Sequence, residues 1–110
     1  MKNKIFISYS HKDIAVVTKF VQQLSLCGFD LWIDEKDVEI GSNYTTQIFS
    51  GIYDSDVYMV FISHNSVESV WVKAEIDFAL TRKIEGGKLQ IIPVKLDDVE
   101  VPISLKNIDF

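Results

Sequence analysis

Cysteine is almost missing from this chain: Cys27 stands alone among 110 residues, so no internal disulfide can form. One cysteine and two histidines are also too few ligands for a structural zinc site. Long apolar runs are absent, since nowhere do about 18 apolar residues follow one another, and no membrane-spanning helix is expected. The basic start, Met-Lys-Asn-Lys, leads directly into Ile-Phe-Ile-Ser without the apolar stretch and small-residue cleavage site of a secretory leader. Positive charge is scarce too. Lys and Arg number 11 against 16 Asp and Glu, a net charge of −5 with no basic cluster, which argues against a nucleic-acid backbone as partner. There are no repeats, linkers or low-complexity segments. These absences point to one cytoplasmic domain over residues 1–110, and its 47% apolar content suffices for a core without covalent or metal staples.

What the chain does have is alternation of strand and helix patterns. Lys4 to Tyr9 is rich in β-branched and aromatic residues and reads as a strand. From Asp13 the period changes, and Ile14, Val17, Val21 and Leu24 mark one face of a helix ending near Cys27-Gly28; Cys27, at the end of that stripe, is expected to be a buried thiol. Phe29 to Asp34 is a second strand. Glu35 to Ser42 is a charged loop closed by Gly41, and Tyr44, Ile48 and Ile52 predict a helix to about Asp54. Asp56 to Ser63, the most continuous apolar run, is expected at the centre of the sheet. Leu89 to Leu96 is a fourth strand, in which Pro93 cannot donate to a ladder and should lie beside an unpaired position or a bulge. Such alternation implies right-handed crossovers and an α/β, doubly wound parallel sheet of the flavodoxin-like order 2-1-3-4-5. Asn107 to Phe110 reads as the start of a fifth strand, leaving no residues for a final helix.

Ser69 to Leu80 carries the most chemistry. Ser69 is placed to cap a helix, the run has no Gly or Pro, and Glu85-Gly86-Gly87 supplies a stop. Residues four apart share a helix face, so Trp71 and Glu75 set an indole beside a carboxylate, an arrangement suited to a cationic, ring-bearing ligand. The spacing alone favours a core Trp and a solvated Glu, and only the place of the helix in the sheet brings a functional pair level with that reading. In doubly wound sheets ligands bind at the carboxyl ends of the strands where the order reverses. That point, between the first and third strands, gathers Tyr9, Ser10 and His11, the stretch from Asp34 to Gly41, Ser63 to Ser66, and the start of the Trp71 helix. Asp34 either lines this site or caps its own loop. His11 and His64 read as solvated loop residues with no carboxylate spaced to orient them.

These pieces resemble the TIR (Toll/interleukin-1 receptor) domain family, its bacterial members most. Ile5-Phe-Ile-Ser-Tyr-Ser-His-Lys-Asp13 is similar to the family's first box, Gly28 to Asp34 with Gly41 to its second strand and BB loop, and Ser55 to Ser63 to its central strand. Trp71-Val-Lys-Ala-Glu75 resembles the Trp-x-x-x-Glu motif that carries the catalytic glutamate of members that consume NAD. The third box and final helix of longer members are missing, and Ser10 and His11 stand where some animal NAD-cleaving members have arginines. The resemblance implies cleavage of the nicotinamide–ribose bond of NAD⁺, a substrate rather than a cofactor, giving nicotinamide and ADP-ribose or a cyclic isomer. Glu75 would be catalytic, with Trp71 as a pocket wall and Tyr9, Ser10, Asp34 and Gly41 shaping the rim. It also implies self-association with other TIR domains, a sensor domain or partner as trigger, and a role in immune or anti-phage signalling. The alternative it leaves is a non-catalytic adaptor working through TIR–TIR contacts of the BB loop and neighbouring helices. In the charged loop over the pocket, Val38 and Ile40 read as an exposed apolar pair through which self-association would order the loop. A phosphoacceptor receiver domain shares the strand order but needs carboxylates where this chain has Ser10, His11 and Ser63.

Overall fold

The computed structural model describes residues 4–33, 51–86 and 88–106. Expectations for Asp34, Val38, Ile40 and Gly41, for the helix from Tyr44 up to residue 50, and for the strand beginning at Asn107 lie outside these residues. Four strands, β1 (Lys4–Ser8), β2 (Asp30–Ile33), β3 (Val57–Ile62) and β4 (Gln90–Lys95), form one parallel sheet in the order β2-β1-β3-β4. This is the expected order over its first four strands. The helices are α1 (Ile14–Leu26), α2 (Val70–Ile84) and a short α3 (Ile103–Lys106), which sequence periodicity did not indicate; residues 51–53 are helical as well. No helix among the described residues is long and apolar enough to cross a membrane.

A parallel sheet covered on both faces needs apolar residues at successive positions, and β3 meets that need with Tyr58, Val60, Phe61 and Ile62 all fully buried. Side chains alternate across β1. Ile5, Ile7 and Tyr9 join Val17 of α1 and Phe61 in one core cluster, whereas Phe6 joins Tyr58, Ile62, Ile52, Val72, Ile76 and Ala79 in the other. Phe6 is sandwiched there between Trp32 and Tyr58, with ring centroids 6.1 Å and 5.9 Å away. Pro93 breaks nothing, because the amides of Gln90 and Leu96 donate to carbonyls of Asp56 and Ile62 on the β3 side. Position 93 has the opposite parity, so its missing N–H would have pointed away from β3, to the side of β4 where no strand pairs among the described residues.

Two expectations for α1 are corrected. Cys27 is exposed rather than buried. The helix ends at Leu26, Cys27 is its C-cap, and Gly28 at φ 92° turns the chain away, so Val17, Val21 and Leu24 pack on the sheet cluster while Cys27 stays outside it. At the other end Ile14 is exposed and Val17 is the buried anchor, since a 3₁₀ turn, His11–Asp13, lifts the first helical residue off the sheet.

Candidate functional site

The site is built on β1 and α2. Ser69 caps α2 by accepting from the Val72 amide at 3.2 Å, and Arg82 and Lys83 close its last turn, where positive charge complements the helix dipole. From that start, Val72, Ile76 and Ala79 fall on the face that meets the sheet, and Glu75 shares this buried face. Glu75 has 0% exposure. Its Oε1 accepts a hydrogen bond from Ser8 Oγ at 2.7 Å, joining the last residue of β1 to the second turn of α2. Trp71, one turn earlier, is half-buried and packs against the same core cluster.

Around this pair the strand ends are tied by side chains. Asp13 accepts from Ser63 Oγ at 2.5 Å and from Asn65 Nδ2 at 2.8 Å, which fixes the start of α1 against the loop after β3. Ser63 and Ser66 exchange backbone and hydroxyl bonds of 2.8 Å and 3.0 Å, closing a short 3₁₀ turn, Ser66–Glu68, ahead of α2. Beyond β4, Asp97 Oδ2 accepts from the His64 amide at 3.0 Å and lies 3.1 Å from His64 Nδ1, while Oδ1 accepts from the Val99 amide at 3.0 Å. The backbone bond from His64, followed by that from Val99, holds the Asp97 carboxyl below its ordinary value. His64 was expected to lack a carboxylate partner; Asp97 reaches it from 33 residues further along the chain. His64, Asp97 and Asp98 are the group of potential metal ligands among the described residues, but all three are exposed and His64 and Asp97 already pair with each other.

The structure divides the residues expected at the rim. Ser10 is 8% exposed and spends its hydroxyl on capping the His11–Asp13 turn, accepting from the Lys12 amide at 3.3 Å. Tyr9 has the parity of Ile5 and Ile7 and is buried with them in the cluster that includes Val17 of α1. Asp34 and Gly41 lie outside the described residues. Ser8 is the residue that sequence reasoning missed as a site group. The available signal was a lone hydroxyl on the same face as Phe6, in a strand with no solvent-facing side, since a buried hydroxyl needs a partner.

A parallel sheet covered on both faces, with a carboxylate and an indole on the helix after its third strand, is a doubly wound α/β domain, and comparison with known proteins gives its family. The TIR domain profile matches residues 5–110. The chain belongs to the TIR domain family. It is 28% identical over 90 residues to the NAD(+) hydrolase TcpC of Escherichia coli O6:H1, a match covering 81% of this chain and 29% of that protein. Against the NAD(+) hydrolase TirS of Staphylococcus aureus it is 33% identical over 91 residues, covering 82% of this chain and 32% of the relative. The chain thus spans about a third of the length of these relatives. Its fold is shared with the TIR domain of a Toll-related receptor from Hydra magnipapillata, at a TM-score of 0.76 and 21% identity, covering 96% of this chain and 80% of that one.

Proposed function

We propose that this domain cleaves the bond between nicotinamide and ribose in NAD⁺. The observation that carries the reading is Glu75: a carboxylate held within the fold by Ser8, one helical turn from Trp71, in a chain related to named NAD(+) hydrolases. Glycosidases usually use two carboxylates, one to protonate the leaving group and one to stabilise the oxocarbenium-like centre. Nicotinamide in NAD⁺ is already cationic and leaves as a neutral molecule with the electron pair of the C–N bond, so no general acid is needed. Glu75 stabilises the positive charge that remains on the ribose. Water then adds to that carbon and releases a proton, so NAD⁺ and water give nicotinamide, ADP-ribose and H⁺; attack by a hydroxyl of the same molecule gives a cyclic isomer instead. Trp71 supplies a flat wall for the leaving ring, and Ser10 follows β1 at the same end of the sheet.

Glu75 has no exposed surface in this conformation, so the site must open before ribose can reach it. Contacts between TIR domains that favour the open form raise activity by population shift, and a sensor domain or partner supplies the trigger. Such a device fits an effector of immune or anti-phage signalling in the cytoplasm. The same burial favours a second reading, a non-catalytic adaptor in which Glu75 only ties α2 to β1. Incubating the domain with NAD⁺ and, separately, NADH distinguishes the two. Free nicotinamide should form from NAD⁺, while NADH, whose dihydronicotinamide is uncharged and a poor leaving group, should survive. No release from NAD⁺ at any protein concentration leaves the adaptor reading.

A further inference from the structure

We infer that Ser8 is a positioning residue for Glu75, holding the carboxylate ionised and aimed for the reaction; this rests on the function proposed above. Ser8 ends a strand flanked on both sides, paired at Lys4 to Ile7 with β2 and at Ile5 to Ser8 with β3, so its backbone is fixed by the interior of the sheet. It is fully buried, as is Glu75, and their bond of 2.7 Å spans 67 residues of sequence. A hydroxyl that donates to a carboxylate favours the charged form and takes away its freedom to rotate. Among the described residues β3 has no charged side chain and Tyr58 as its titratable group, and the charge of β1 is Lys4 at its far end. On α2 itself, Lys73 and Asp77 are exposed. Ser8 thus gives Glu75 a neutral donor from the neighbouring strand inside the buried interior.

The experiment compares the wild type, Ser8→Ala and Ser8→Cys by NAD⁺ turnover across pH, by thermal melting, and by carbon-13 NMR titration of the Glu75 carboxyl. Ser8→Ala should lower kcat about tenfold, as expected for loss of a hydrogen bond to a charged group, with KM nearly unchanged. The acid limb of its rate profile and the NMR midpoint of Glu75 should both move to higher pH. Ser8→Cys, which keeps a weak donor in nearly the same volume, should fall between the two. A Ser8→Ala protein that melts lower but keeps the wild-type pH profile and Glu75 midpoint would reduce Ser8 to a packing residue and overturn the inference. If the wild type itself releases no nicotinamide, the proposed function fails. The Glu75 midpoint then decides the role of Ser8 separately: a rise in Ser8→Ala supports the Ser8 tether, and an unchanged value overturns it.

Discussion

Stripping a carboxylate of water costs several kcal/mol unless hydrogen bonds replace the lost solvation. Glu75 meets part of that cost through Ser8, a bond to a charged group worth about 1.5–3 kcal/mol net. Keeping such a group buried makes sense where its charge is used, because a preorganised carboxylate in a dry site acts more strongly on a developing cation than one in water. Trp71 opens the motif and packs half-buried against the sheet core, and on the proposed function it also walls the pocket. Trp71→Ala should cost less than the roughly 3–5 kcal/mol of a fully buried aromatic, while removing most NAD⁺ turnover. Melting curves recorded beside nicotinamide release check this. A large fall in melting temperature with full turnover in the folded fraction would assign the indole to the core alone.

At the scale of elements, the loops at the carboxyl ends of β1, β3 and β4 are joined by Asp13, Ser63, Asn65, His64 and Asp97, beside the packing of Val67, Val99 and Val101 on the core. Because the Asp97 carboxyl is lowered in the folded state, its contribution to stability is present above the unfolded value near 3.8 and is lost as pH falls through the folded value. Asp97→Asn should therefore melt below the wild type at pH 6, and the two should converge as the pH drops below about 3.8. A difference that stays constant over that range would show the carboxylate charge to be unimportant to the clasp. The strands and α2 were legible in the sequence because each obeys a local rule: an apolar run for a strand buried on both faces, and a capping Ser with a glycine stop for the helix. Pairings across the sheet ends were not legible. Asp13 with Ser63 and His64 with Asp97 are separated by 50 and 33 residues, and loop geometry that no periodicity encodes brings them together. The burial of Tyr9 and the exposure of Cys27 have a simpler cause. The parity of β1 and the exact end of α1 decide their surroundings, and an error of one residue at either sends a side chain to the other side.

For the whole molecule, the order β2-β1-β3-β4 puts the reversal of the sheet between β1 and β3, and the Ser8–Glu75 bond lies at the carboxyl end of β1 beside that point. The fold thus places its buried carboxylate where doubly wound sheets bind ligands, yet seals it in this conformation. Cleavage should accordingly be slow in dilute solution and gain specific activity as protein concentration rises, since association can favour an open state. The most direct test is nicotinamide release from NAD⁺ by the wild type and by Glu75→Gln, followed over a concentration series with folding confirmed by melting. The account predicts that wild-type specific activity climbs with concentration while folded Glu75→Gln stays on the order of 100-fold to 1,000-fold lower throughout, the loss expected when one preorganised electrostatic contact to a transition state is removed. A folded Glu75→Gln protein with turnover near that of the wild type would contradict it.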